Sequence, residues 1–330
     1  MKFVLSGVKP TGIPTLGNYL GALKNFVRLQ NEMKEFEFLI FVADLHAITT
    51  PQDPQELKEH TRSVAALYLA SGLDLDNLTL FIQSEVHEHV ELGYVMQSLA
   101  YMGELERMTQ YKDKMQKQVQ GVTSALFTYP ALMAADILLY DASYVPVGDD
   151  QIQHLELTRN LATRFNNRYH DFFTVPEPLT VKVGSRIMDL QSPTNKMDKS
   201  AENPKGCISL LDSIPTIKKK IKAAVTDNEA KVYFDSEKKP GISNLMTIYS
   251  SITGDSLQAI TALYEGKGYG DFKNDLAEIV AKEIEQVQTK YFEWIHSPML
   301  DEILDEGKAR ASMFARSKLQ KLYSLMGIGR

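Results

Sequence analysis

Glycine and threonine crowd the stretch Ser6-Gly7-Val8-Lys9-Pro10-Thr11-Gly12, which continues through Thr15-Leu16-Gly17-Asn18. Glycines after a strand let the backbone approach a ligand, and the helix N-terminus that follows offers free N–H groups to an anion. The pattern is neither GxGxxG nor a Walker A loop. Alone it fits a plain strand–turn–helix corner as well as a binding site. A second candidate is Asn195-Lys196-Met197-Asp198-Lys199-Ser200, inside a Gly/Pro-rich connection. Lys196 and Lys199 could neutralise a polyphosphate and follow it as it leaves, although an exposed basic linker has the same composition. Gly148-Asp149-Asp150-Gln151 ends a strand, where ribose hydroxyls find acceptors. Asp136 stands in an otherwise apolar run from Tyr129 to Tyr140, and a carboxylate buried there needs donors. On a helix, Met133, Asp136, Ile137 and Tyr140 share one face. That face could be an aromatic pocket with one acceptor at its base, or Asp136 could simply pair inside the fold.

These residues need a scaffold. Phe3-Val4-Leu5 reads as a short strand stopping at Ser6-Gly7, followed by a helix from about Thr15 to Gln30. Phe36 to Ala43 is continuously apolar apart from Glu37, as in a parallel strand covered on both faces. Asp53-Pro54-Gln55-Glu56 opens a helix that should run to Ala70, with an N-cap, a proline at the first position and a carboxylate at the third. Strands are expected at Leu78–Ile82 and Tyr144–Val147, and helices near Glu91–Glu106 and Gln151–Phe165. This alternation predicts an α/β fold, a doubly wound parallel sheet with ligands at the carboxyl ends of its strands. After Val183 the composition shifts. Residues 184–206 are loop-like, and helices are expected at about 208–224, 241–253, 255–264, 271–295 and from Pro298 to Met326.

The chain has 330 residues, which at ~150 per domain suggests about two domains. Hydrophobic residues make up 44% and charged residues 24%, a balance that excludes wholesale disorder. The single cysteine, Cys207, excludes an internal disulfide framework and a Cys-rich zinc or iron–sulfur site. Apolar runs fall short of the ~18 residues of a membrane helix, and no signal peptide is read at the start, so a cytoplasmic location is expected. The 36 basic and 42 acidic residues leave a net charge of −6. Local patches such as Lys218-Lys219-Lys220 with Lys222, or Arg159, Arg164 and Arg168, could still meet RNA, or be solvated helix faces.

Taken in order, these segments resemble the bacterial tryptophanyl-tRNA synthetases, a family of class I aminoacyl-tRNA synthetases. Thr15-Leu16-Gly17-Asn18 stands in the place of the HIGH signature, and Lys196-Met197-Asp198-Lys199-Ser200 in that of KMSKS. Gly103 to Gln110, Tyr129 to Arg159 and Lys239-Pro240-Gly241-Ile242-Ser243-Asn244-Leu245 resemble the family almost residue for residue. The likeness spans essentially the whole chain. It implies a Rossmann-like catalytic domain over 1–190, a KMSKS-type loop over 191–206, a helical anticodon-binding domain over 207–295, and a C-terminal helix over 296–330 packing back on the catalytic domain. The implied reaction activates L-tryptophan with ATP and Mg²⁺, then transfers it to tRNA(Trp), in a homodimer. Lys196, Lys199, Thr15 and Asn18 would be catalytic. Thr15, Gly17 and Asn18 would hold the triphosphate, with Lys9, Pro10, Thr11, Asp198 and Ser200 beside it. Gly148, Asp149 and Asp150 would take the ribose, and the backbone near Ile187 and Met197 the adenine. No metal would be held by the protein itself, Mg²⁺ riding on the phosphates.

Asp136 would accept the indole N–H, with Met133, Val145, Val147 and His46 as walls and Leu5 and Gly7 alongside. His46 could equally be structural. Tyr129 and Gln151 would face the substrate ammonium. The nearest alternative, a tyrosyl enzyme, usually carries Gln three residues before the Asp. Met133 in that place suits an indole, which only donates, better than a phenol. Three departures stand out: Lys9 where many members have Gln, Leu5 for a Phe, and Asp198 for the first Ser of the signature.

Overall fold

Among the described residues five strands build a wholly parallel sheet in the order β3-β2-β1-β4-β5, with β1 Phe3–Val8, β2 Glu37–Val42, β3 Leu78–Ile82, β4 Tyr144–Pro146 and β5 Glu177–Leu179. The computed structural model describes residues 2–117, 122–148, 151–179, 186–198 and 203–330. Asp149, Asp150, Lys199 and Ser200 therefore lie outside the described residues. Chain order reverses between β1 and β4, where an open α/β sheet leaves a crevice at its carboxyl edge.

Successive side chains of a strand point to opposite faces. Val4, Phe38, Ile40, Val42 and Leu80 thus enter one core, and Phe3, Leu5, Leu39, Phe41 and Phe81 the other. The first core continues into helices Ile214–Lys222, Pro240–Thr253 and Tyr269–Ile295. The second is covered by Glu88–Leu99, Ser124–Leu138 and Ile152–Arg168. Within the described residues no helix is long and apolar enough to cross a membrane.

Helix Pro298–Met326 joins the two layers. Ser297 caps it through the Met299 N–H, and Gly327 ends it in the left-handed region at φ 69°. Its Leu300 and Leu304 belong to the first core; Ala311, Ala315, Leu319 and Leu322 belong to the second. It therefore passes over edge strand β3 and shields it. Arg310 pairs with Glu37, and Arg316 with Glu88 at 2.8 Å. Gly307 makes the crossing possible, because a Cβ there would overlap the Leu80 carbonyl oxygen. Gly307→Ala is expected to lower stability by about 2 kcal/mol through forced separation of helix and strand. The urea midpoint reads this out, and an unchanged midpoint would contradict the packing.

Several elements depart from their sequence reading for identifiable reasons. β1 runs through Ser6-Gly7 to Val8, because β2 pairs with it along its whole length. The helix expected near Glu91–Glu106 divides into Glu88–Leu99 and Met102–Glu106. The break comes at Tyr101, whose N–H is taken by the Glu104 carboxylate at 3.0 Å. The helix expected from 208 begins only at Ile214. Residues just before it are spent on pairing, with Leu16 N–H donating to Ile208 O and Leu210 N–H to Pro14 O.

Candidate active site

Helix Leu16–Asn18 starts the first arm of the site. Thr15 Oγ1 accepts from the Asn18 N–H at 3.2 Å, while Asn18 Oδ1 accepts from the Thr15 N–H at 2.9 Å. This reciprocal cap fixes both side chains and spends the Asn18 carbonyl oxygen on Thr15. The amide NH₂ of Asn18 is then its group for an anion. A π-helical turn, Tyr19–Leu23, follows directly.

The second arm is a hairpin. Met197 N–H donates to Ile187 O at 3.0 Å and Asp189 N–H to Asn195 O at 2.8 Å, so residues 187–189 and 195–197 run antiparallel. Ile187 and Met197 are buried. A Cβ on Gly17 would stand 3.5 Å from each of them, so the two arms meet with backbone against side chain. Between them opens a cavity of about 340 Å³, whose lining includes Lys9, Thr11, Thr15, Asn18, Lys196 and Asp198. Residues from both signature-like segments and Lys9 thus face one space. Pro10, between Lys9 and Thr11, is buried.

Beyond the cavity lies a polar network inside the apolar layer. Asp136 is 1% exposed on helix Ser124–Leu138. Its Oδ2 accepts from His46 Nε2 at 2.8 Å, and its Oδ1 from His89 Nδ1 at 2.7 Å and Gln83 Nε2 at 2.8 Å. An ionised carboxylate only accepts, so each of these nitrogens carries the hydrogen. His89 Nε2 in turn accepts from the Tyr140 hydroxyl at 2.8 Å. Burial pushes the Asp136 carboxyl up, but the hydrogen bonds and electrostatic attraction of His46 and His89 outweigh it and hold the group at about 2. Burial and the Asp136 and Glu88 charges raise the Tyr140 hydroxyl well above its ordinary value, so it remains a donor.

Donors on Asp136 come from the carboxyl ends of neighbouring strands: His46 from the short helix after β2, Gln83 from the turn after β3. Within the described residues Gln83 Oε1 is buried without a hydrogen-bond partner. Met133 and Val147 pack against the same apolar layer that holds Leu5 and Val145, and Gly7 is paired with Phe41 across β1–β2.

Tyr129 joins pocket and cavity. Its hydroxyl donates to Gln110 Oε1 at 3.1 Å and shares a 2.7 Å hydrogen bond with His154 Nε2. The His46 ring meets its edge at 6.1 Å between centroids, and the Lys9 ammonium sits over its face at 5.3 Å. Gln151 caps helix Ile152–Arg168, its N–H donating to Gly148 O at 2.9 Å. A continuous path runs from Asp136 through His46 and Tyr129 to Lys9 and the cavity. Sequence reasoning missed Gln83, His89, Gln110 and His154. Their only signal was the general demand that a buried Asp and a buried Tyr find partners.

A wholly parallel sheet with a cleft beyond the carboxyl end of β1, beside the point where strand order reverses, is a Rossmann-like architecture. The profile of the class I tRNA synthetases for tryptophan and tyrosine matches residues 2–285. A tryptophan–tRNA ligase of Oceanobacillus iheyensis is 57% identical over 330 residues, covering 100% of both chains. The crystal structure of the tryptophanyl-tRNA synthetase of Mycoplasma pneumoniae superposes with a TM-score of 0.91 at 38% identity, covering 100% of this chain and 98% of that one. That of Campylobacter jejuni, complexed with ADP and tryptophan, gives 0.83 at 36% identity, covering 99% and 100%. The chain belongs to the class I tRNA synthetases of the tryptophan and tyrosine group.

Proposed function

We propose that this chain is a tryptophan–tRNA ligase: it joins L-tryptophan to ATP as tryptophanyl-adenylate, releases diphosphate, and passes the aminoacyl group to tRNA(Trp), releasing AMP. Full-length identity of 57% to a ligase of that specificity supports the activity. One observation carries the site: the pocket at Asp136 and the cavity between the signature-like segments meet at Tyr129 and Lys9. There the substrate carboxylate and the α-phosphate can come together.

The carboxylate arrives ionised, so activation requires alignment and charge stabilisation rather than a general base. Asn18 and Thr15 would hold the triphosphate, and Lys196 and Lys199 would offset charge on the departing diphosphate. Gly17 would lie with Thr15 and Asn18 against the triphosphate, and the backbone near Ile187 and Met197 would border the adenine; Gly148, Asp149 and Asp150 would take the ribose. Asp136 keeps a second lone pair on Oδ2 for the indole N–H, and Tyr129 and Gln151 would meet the ammonium. Among the described residues Asp198 is the only carboxylate lining the cavity, beside two lysines. Such a donor set suits Mg²⁺ carried by the phosphates better than an ion held by protein oxygens.

The helical half would read the anticodon. Lys218 and Lys220 are already paired with Glu278 and Asp212, so Lys219 and Lys222 offer RNA the stronger contacts of that run. A second copy would cover the exposed Val90 and Tyr94, one turn apart, with Tyr101 and Met102 beyond them. The cytoplasm is the proposed location.

Amino-acid-dependent ATP–pyrophosphate exchange with tryptophan, tyrosine and phenylalanine tests the assignment. Strong exchange with tyrosine and none with tryptophan would reverse it. Lys9 contributes a fixed positive charge where Gln is common. Lys9→Gln is expected to raise the Mg²⁺ needed for half-maximal exchange about two- to fivefold, the effect of a screened, partly exposed charge. Selectivity for tryptophan should stay unchanged. Superimposable Mg²⁺ titrations would show that Lys9 does not serve the phosphates.

A further inference from the structure

The segment Lys239–Leu245 lies in the helical half, lines no part of the cavity, and resembles the family as closely as the signature segments do. Its side chains account for themselves once their partners are followed. Asn244, 5% exposed on helix Pro240–Thr253, accepts the Met188 N–H on Oδ1 at 2.8 Å and donates Nδ2 to the Met188 carbonyl at 2.9 Å. Met188 faces Lys196 across the hairpin. In an antiparallel pair of this kind the N–H and C=O point away from the partner strand. Without Asn244 both groups would need another partner in a part-buried place. The amide completes them as a third strand would.

Lys239, Pro240 and Gly241 set the start of the Asn244 helix against the hairpin. Lys239 is 3% exposed, donates to Lys231 O at 2.6 Å and pairs with Glu229 at 3.1 Å, its ammonium 3.9 Å from the centre of the Tyr233 ring. Pro240 starts the helix. A Cβ on Gly241 would overlap the Val225 carbonyl oxygen, so only glycine lets the helix end approach this closely. Val225 in turn donates its N–H to Leu190 O, in the hairpin, at 2.8 Å. Ser243 Oγ accepts the Asp235 N–H at 2.9 Å, fastening the loop before the helix.

We propose that Asn244 is a positioning residue for adenylate formation: by clasping both backbone groups of Met188, it fixes the hairpin strand opposite Lys196 and so sets where the Lys196 ammonium stands in the cavity. This rests on the reading of the cavity as the ATP site. The clasp leaves the tryptophan pocket alone, since Asn244 is bonded to Met188 while Asp136 is held by His46, His89 and Gln83.

Asn244→Ala and Asn244→Asp test it, with Ser243→Ala as a control for weakened helix packing. Asn244→Ala should lower kcat for tryptophan-dependent exchange about tenfold to a hundredfold, as lost hydrogen bonds to two part-buried groups would. Tryptophan Kd by calorimetry should not change, and Ser243→Ala should lower Tm without changing kcat. In Asn244→Asp an ionised carboxylate would face the Met188 carbonyl. Its activity relative to the wild type should recover as pH falls from 8 towards about 6, when protonation restores a donor to the repelled, buried group. That profile decides even if the alanine variant fails to fold. Amide hydrogen exchange across residues 186–198 should rise in both variants, a readout independent of catalysis. Wild-type kcat in a folded Asn244→Ala, a parallel loss of tryptophan affinity, or a flat Asp-to-wild-type ratio would each overturn the proposal. Failure of the unmodified chain to exchange with tryptophan would instead strike the proposed activity, while hydrogen exchange would still judge the clasp.

Discussion

Lys196→Ala is expected to reduce kcat for tryptophan-dependent ATP–pyrophosphate exchange by about a hundredfold to a thousandfold, the usual loss when one preorganised donor to developing charge is removed. Lys196 lines the cavity with Thr15 and Asn18, on a hairpin whose partner strand is hydrogen-bonded on both sides. A held ammonium costs little reorganisation at the moment the α–β phosphate bridge breaks. Charge on the bridging oxygen grows from ground state to transition state, so the interaction should appear in kcat more than in ATP KM. Tryptophan Kd should stay unchanged, because Asp136 is held by His46, His89 and Gln83 while Lys196 faces the cavity. Unchanged kcat with only a raised ATP KM would make Lys196 a ground-state ligand and withdraw its catalytic role.

Some of this was open to inspection in the sequence. β2 is buried at every position and reads as a strand because nothing in it asks for water except Glu37, whose charge is met by Arg310 and by Thr79 Oγ1 at 2.6 Å. The two signature-like segments could be placed by type and order, and they do face one cavity. Non-local partners could not be read. β5 has three residues, contains Pro178 and, among the described residues, pairs with β4 alone, so no periodicity announces it. Ile208 to Leu210 resemble a helix start until Pro14 and Leu16, distant in sequence, claim their backbone. Asp136 demanded donors, yet Gln83 and His89 lie 53 and 47 residues away, beyond any helical or strand spacing.

Those donors determine what Asp136→Ala will do. The substitution leaves His46 Nε2, His89 Nδ1 and Gln83 Nε2 without their shared acceptor, at a site 1% exposed. Leaving buried donors without their acceptor costs roughly 1–3 kcal/mol for each group, less than additively within one network, so about 3 kcal/mol is expected at pH 7. The difference from the wild type should depend on pH with a definite sign. A carboxyl held at about 2 when folded, against an ordinary 3.8, contributes stability that is fully present above 3.8 and is lost as pH falls through that window. Urea midpoints of the two proteins should therefore converge between about pH 4 and pH 2. A gap that stays constant there would mean the carboxylate is not the stabilised ion. Binding should follow the same logic. Without Oδ2 the indole N–H enters a dry pocket unpaired, which costs roughly 1–3 kcal/mol, or about one to two decades in tryptophan affinity. Phenylalanine has no such donor, so its affinity should barely move and discrimination should narrow by the same factor. Wild-type selectivity for tryptophan over phenylalanine in Asp136→Ala would place the indole elsewhere and leave the three donors as a purely structural knot.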